Sequence, residues 1–206
     1  MVIPETYEQY RSRVGEVAAK IVIEKLGNLK LEKIHEKKGQ RNPDYTIKDA
    51  DGNRIAICEV KALVDPLATV DSKVGLSFEK EMELSKKRDA NHRSKLRRKL
   101  GQAIKQLVHN TNLATVICFV SFDMTDYIDM GQVLQEHIEL HPTDQIPDSF
   151  ILMKVRQDVV PSDFFKITET VRVMFNSEKG KEFGEKHLNW SNALKKIGSL
   201  PLTFHL

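Results

Sequence analysis

The dipeptide Asp51-Gly52 restricts the fold of this chain more than any other feature. It sits within Asp49-Ala50-Asp51-Gly52-Asn53, between Tyr45–Lys48 and Arg54–Leu63, two runs of strand-forming residues. Asp-Gly between such runs predicts a hairpin, because both central positions of a tight primed turn need positive φ. The turn then sets the register. With Asp51 and Gly52 at its centre, Asp44 faces Glu59, Thr46 faces Ile57 and Lys48 faces Ile55.

Directly opposed residues of an antiparallel pair have Cβ atoms about 4.5–5.5 Å apart. Lys61 lies two residues beyond Glu59 and emerges on the same face. Two carboxylates and one ammonium are therefore expected on one patch, with Ala56, Cys58, Val60 and Ala62 on the apolar opposite face. Opposed like charges destabilise a strand pair. A divalent cation reverses that sign, and Mg²⁺ commonly takes one or two carboxylates together with waters and a phosphate. The alternative is an Asp-Lys-Glu ion-pair cluster on a wet sheet face, where such pairs cost little.

Around the hairpin, Tyr7–Leu26 reads as a helix with Val14, Val17, Ala18, Ile21 and Val22 as its apolar stripe. Leu29–His35 is an imperfect strand, and residues 37–42 and 65–78 are loops. Glu79–Asn110 is helical and charged, with Leu96, Leu100, Ala103, Ile104 and Leu107 as a buried face. Ala114–Phe122 is nearly all apolar, as expected of a strand covered on both faces. Met130–Ile138 suggests a short helix and Phe150–Val155 a strand. Past Pro161 the chain mixes a strand-like Val171–Phe175 with short helical pieces around Trp190. The fold class is α/β (α+β): a mixed sheet flanked by helices in the order α-β-β-β-α-β. Residues 1–160 form this core, and residues 161–206 form a C-terminal extension packed on it.

A chain of 206 residues, 40% hydrophobic and 30% charged, suits a soluble globular protein. No apolar run approaches the roughly 20 residues a membrane helix needs. The N-terminus lacks the basic-then-apolar order of a secretory signal, so the expected location is cytoplasmic. Cys58 and Cys118 each sit in an apolar run and read as core thiols, with neither disulfide nor zinc spacing. The net charge of +3 hides an uneven distribution. Lys86, Lys87, Arg88, Arg93, Lys95, Arg97, Arg98, Lys99 and Lys105 fall in one segment with Asp89 as its only acid, which leaves the rest of the chain mildly acidic. Such a stripe suits a polyanion. A solvated helix face is the plain alternative.

At Pro43-Asp44 and Glu59-Val60-Lys61 the chain resembles the PD-(D/E)XK nuclease superfamily, which includes restriction endonucleases and Holliday junction resolvases. Two flanking features match the family's pattern: Gly15-Glu16-Val17-Ala18 in the first helix, and the glutamines Gln102 and Gln106 in the helix after the motif strand. The resemblance spans about Val14 to Phe122 and leaves out the C-terminal third. It implies a restriction-endonuclease-like fold and a Mg²⁺-dependent nuclease, with Mn²⁺ able to substitute, acting on nucleic acid, chiefly DNA, and often as a homodimer. It makes Asp44 and Glu59 metal ligands with the Val60 carbonyl, and Lys61 the catalytic base or an electrostatic stabiliser. Glu16 assists the metal site, and Gln102 or Gln106 touches the scissile region or holds the lysine.

The plain alternative for Glu16 is an exposed helix acid, since it lies nearly opposite Val14, Val17 and Ile21, beside Ile23. Glu8 and Glu24 are its substitutes. His35 and Glu36, just upstream of the loop at 37–42, would border the site, and His92 within the basic segment would meet a phosphate, although a lone histidine is usually neither. The rival to an enzyme is a nucleic-acid-binding or scaffolding module on the same fold that keeps the carboxylates but does not cut.

Overall fold

A computed structural model describes residues 7–35, 42–63, 78–107, 112–140, 147–155, 168–188 and 202–205. These form a mixed α/β architecture. Helix α1 (Tyr7–Gly27) precedes β1 (Lys30–Lys33), β2 (Tyr45–Lys48) and β3 (Arg54–Leu63). Then come α2 (Phe78–Leu107), β4 (Ala114–Ser121), α3 (Met124–Leu140), β5 (Ser149–Val155), β6 (Thr168–Phe175), α4 (Glu178–His187) and β7 (Leu202–His205). The strands make one seven-stranded sheet in sequence order. β1, β2 and β3 are antiparallel neighbours, and the crossovers through α2 and α3 make β3, β4 and β5 parallel. β6 returns antiparallel to β5, and β7 lies parallel to β6. The sheet thus continues unbroken into the C-terminal segment. No helix among the described residues is long and apolar enough to cross a membrane.

Two cores sandwich the sheet. On one face Ala56, Cys58, Val60, Cys118 and Val120 pack beneath α1, and Ile151, Val173 and Phe183 of α4 join the same cluster. On the other face Ile57, Ile117, Phe119 and Phe150 meet Leu96, Leu100, Ala103 and Leu107 of α2 and Met130 and Leu134 of α3. All eight residues of β4 are buried, as its apolar run requires. Cys58 and Cys118 are free, buried thiols, and burial pushes both thiols' pKa up.

The hairpin differs from its expected form at the tip and agrees with it further in. Asp49 N donates to Asn53 O at 3.0 Å and Gly52 takes φ +85°, so the loop holds three residues. The Asp49 carboxylate fastens this loop, its Oδ1 accepting from Asn53 N at 2.8 Å and from Asp51 N at 3.1 Å. The longer loop puts Lys48 opposite Arg54, where Ile55 was expected. An irregularity between Ile47 and Lys48 then absorbs the offset, and Thr46 pairs with Ile57 and Tyr45 with Cys58. A glycine in the left-handed region followed by such an irregularity is the usual build of a three-residue hairpin.

In α1 the buried face is rotated from the expected stripe. Val14, Ala18, Ala19, Val22, Ile23 and Leu26 are buried, and Val17 is exposed. The cause is close packing. A Cβ on Gly15 would stand 3.2 Å from Ala62 Cβ and 3.6 Å from Val120 Cβ, so the helix lies on β3 and β4 with its smallest residue inward. The rotation brings Glu16, next to Ile23 on the wheel, to the rim of the sheet.

Two further elements exceed their expected form. Helix α3 starts at Met124, before the expected Met130, because Asp123 Oδ1 accepts from Thr125 N at 2.7 Å and caps the first turn. In the C-terminal segment the helix is Glu178–His187, capped by Ser177 accepting from Gly180 N, and β7 was not foreseen. Trp190 and the loops at 37–41 and 65–77 lie outside the described residues.

Gly15→Leu is expected to destabilise the protein by about 1–3 kcal/mol, the usual cost of overpacking a closed contact. Urea denaturation checks this, and a wild-type midpoint would contradict the close approach of α1.

Candidate active site

β3 alternates faces, so Ile57, Glu59 and Lys61 all lie on the side of α2. Glu59 stands opposite Ile117 and Lys61 opposite Phe119 in the parallel ladder. Glu59 is fully buried, and Lys61 Nζ forms an ion pair with Glu59 Oε1 while remaining partly exposed. Glu59 Oε2 is buried without a hydrogen-bond partner. Asp44 directly precedes β2, and the register Tyr45–Cys58 carries on to place it at the level of Glu59. Its Oδ2 accepts from Val60 N at 2.8 Å, occupying a β3 amide beyond the end of the β2 ladder. The hairpin therefore brings Asp44, Glu59 and Lys61 together.

Burial first, then the Asp44 charge, pushes the Glu59 carboxyl up to about 7 against the opposing pull of Lys61. The Asp44 carboxyl is raised too, by burial first, against the Val60 N–H and the Lys61 ammonium. An acid raised on folding binds its proton more tightly in the native state. Stability then falls as pH rises from the unfolded to the folded value.

Asp44 and Lys61 border a cavity of about 450 Å³ at the C-terminal half of β3, and the buried Glu59 lies beneath Lys61 without lining it. Asp44, Val60 and Lys61 line one side, and His92, Lys95, Arg98 and Lys99 of α2 line another. Ser12 and Glu16 enter from α1 and Asp126 from α3. Glu16 Oε2 accepts from Lys33 Nζ at 2.6 Å and from the Tyr45 hydroxyl at 3.3 Å, so this acid is partnered at the site's edge. Burial, then Glu16, pushes the Tyr45 phenol up. Glu24 is occupied elsewhere, accepting from Leu31 N at 2.9 Å. The side chains of Glu8 and Glu36 lie outside the described residues.

The basic stripe divides by helical phase. Lys95, Arg98 and Lys99 reach the cavity, and Lys99 Nζ also donates to Ala62 O at 2.8 Å. Arg97 instead pairs with Glu136 at 2.8 Å, and Arg93 with Gln132 at 2.5 Å and Asp129 at 3.8 Å, all on α3. Lys105 is exposed, and the side chains of Lys86, Lys87 and Arg88 lie outside the described residues. Gln102 and Gln106 follow Lys95 and Lys99 by two helical turns on the same flank. They do not line the cavity. Because α2 runs from the end of β3 back toward the start of β4, its later turns leave the site behind. His35 is exposed and borders a separate cavity with Arg54 and Leu113.

Ser12 and Asp126 complete the cavity without having been expected there, and His92, expected as a phosphate contact, lines it too. His92 Nε2 stands 3.0 Å from Asp126 Oδ1 and 3.7 Å from Asp129 Oδ2. Nothing local in the sequence marks Asp126, because packing of α3 against α2 brings it there.

Asp44 and Glu59 offer oxygen donors of the type a hard cation takes, and Glu59 Oε2 is a buried acceptor without a hydrogen bond. No group of three or more His, Cys, Asp or Glu side chains suited to a metal occurs among the described residues. No family model, curated protein or solved structure matches the chain.

Glu59→Gln is expected to flatten the fall in stability between about pH 4.5 and 7, and to stabilise the protein above pH 7 by about 2 kcal/mol. Thermal unfolding across pH reads this directly. A variant with the wild-type pH slope would show that Glu59 ionises without penalty.

Proposed function

We propose that the chain is a divalent-metal-dependent nuclease that hydrolyses phosphodiester bonds, chiefly in DNA, on a restriction-endonuclease-like fold. One observation carries this reading: the fully buried Glu59 meets the half-buried Asp44 and Lys61 on one sheet face, beneath a cavity wall bearing Lys95, Arg98 and Lys99. A carboxylate pair with a lysine at a cationic cavity is suited to a phosphodiester and a hard cation together.

Asp44, Glu59 and the Val60 carbonyl would hold Mg²⁺, with Mn²⁺ able to substitute. The bound ion would supply charge relief at the phosphate and at an attacking water. The protein's own part rests on rigidity. Asp44 is fixed by the Val60 N–H, and Glu59 by its burial in β3. Lys61 is committed to the Glu59 charge, which suits it to stabilising negative charge in the site rather than to taking a proton. Lys95, Arg98 and Lys99 grip the sugar-phosphate backbone without reading sequence. Glu16, tied to Lys33 and Tyr45, shapes the field at Asp44.

A second reading has an observation in its favour. Asp44 already serves a structural purpose by accepting from Val60 N. A nucleic-acid-binding or scaffolding module on the same fold would keep it for that reason alone. Metal titration by calorimetry and a plasmid-nicking assay separate the two, since metal uptake with no nicking belongs to the module.

On the nuclease reading, Lys61→Ala and Asp44→Ala lower the nicking rate about 10²-fold or more, and the proteins stay folded. Nicking by Lys61→Ala at the wild-type rate with Mg²⁺ would remove the catalytic assignment. Arg98→Ala is expected to weaken binding to duplex DNA and to reduce the slope of log K against log salt by about 0.9. Arg97→Ala, whose guanidinium is turned to Glu136, is expected to change that slope little. Fluorescence anisotropy over a salt series distinguishes the two, and an equal loss from both variants would contradict the division of the stripe.

A further inference from the structure

We propose that His92, oriented by Asp126 and Asp129, is the proton acceptor of the site, taking the proton from the water that attacks the phosphorus. This deepens the nuclease reading and rests on it.

The hydrolysis needs a group that accepts a proton beside the phosphate. Lys61 is poorly placed for that task, because its ammonium balances a carboxylate buried in the sheet. Arg98 stays charged at any working pH. Lys95 and Lys99 carry ammonium groups, and that of Lys99 is anchored to the Ala62 carbonyl. His92 is the remaining base of the cavity's α2 wall, and imidazole is the side chain suited to proton transfer near neutral pH.

The geometry supports a directed ring. Nε2 lies at ion-pair distance from two carboxylates of α3, although the contact to Asp126 lacks hydrogen-bond alignment. Asp126 is itself buried, and Asp129 is shared with Arg93. With Nε2 turned toward these acids, Nδ1 is the ring nitrogen left to the cavity. A carboxylate that fixes tautomer and orientation on one ring nitrogen leaves the other free to act as base. The other charges around His92 come from Lys95, Arg98 and Lys99 on its own helix and from Lys61 on β3. Among the described residues, Asp44 ahead of β2 and Glu16 on α1 complete the set.

In the step, the water oxygen bonds to phosphorus and its proton passes to Nδ1. The bond from phosphorus to the leaving sugar oxygen breaks, and that oxygen keeps the electron pair and takes a proton from solvent. The imidazolium then returns its proton to solvent. Asp126 is a positioning residue in this scheme.

The test compares H92Q, D126N, E59Q and wild type as the full chain. It reads a pH–rate profile of plasmid nicking in Mg²⁺ and the affinity for a labelled duplex oligonucleotide in EDTA. H92Q is expected to lose about 10²-fold or more in rate and the rising acidic limb of the profile, with affinity in EDTA within about twofold of wild type. D126N is expected to lose less rate and to move the midpoint of that limb. H92N replaces H92Q should the latter not fold. If E59Q is dead but H92Q nicks with the wild-type rate and profile, His92 is not the acceptor and the nuclease reading stands. If H92Q mainly loses affinity in EDTA, His92 is a phosphate contact and the proposal falls. If wild type does not nick, the nuclease reading falls and takes this one with it.

Discussion

The Glu59 carboxylate lies wholly inside the protein, and the rest of the site is arranged around that cost. An unpaired ionised group at such a depth is strongly unfavourable, so the chain either neutralises it or supplies a cation. Both occur here. The carboxyl is pushed up to about 7, and Lys61, two residues along the same strand, is drawn against it. Asp44 adds a second negative charge at the same level, and its hydrogen bond to the Val60 amide keeps it there.

The β2–β3 register makes the cluster possible. A slip of one residue would turn Glu59 or Asp44 toward the opposite face, among the apolar residues beneath α1. The chain guards against this twice. The Asp49 carboxylate fastens a three-residue loop, and the irregularity at Ile47–Lys48 restores the pairing that the loop would otherwise displace. On the outer side, β1 pairs with β2, and Ile34 N donates to Asp44 O at 2.9 Å, so the backbone at Asp44 is held from both sides.

Helix α2 performs three tasks by phase alone. Leu96, Leu100, Ala103 and Leu107 pack on the sheet, Arg93 and Arg97 clasp α3, and His92, Lys95 and Lys99 border the cavity. Tight packing of α1 through Gly15 supplies the opposite rim, with Ser12 and Glu16. The cavity therefore depends on helices docked against both faces of the sheet at the C-terminal end of β3.

The hairpin, the shared face of Asp44, Glu59 and Lys61, and the buried course of β4 were legible in the sequence, because strand alternation and turn chemistry act over a few residues. Local pattern also marked the basic character of α2. It did not tell which cations face the cavity, since that depends on where α3 lies and what its acids claim. It turned α1 by part of a helical turn for the same reason: the seat of Gly15 on Ala62 is a contact between residues far apart in the chain. The glutamines were expected at the site only from the resemblance, and the direction of the α2 crossover carries them past it. Strand alternation and the turn of one hairpin thus determined the charged centre, and the docking of helices from distant segments decided what surrounds it.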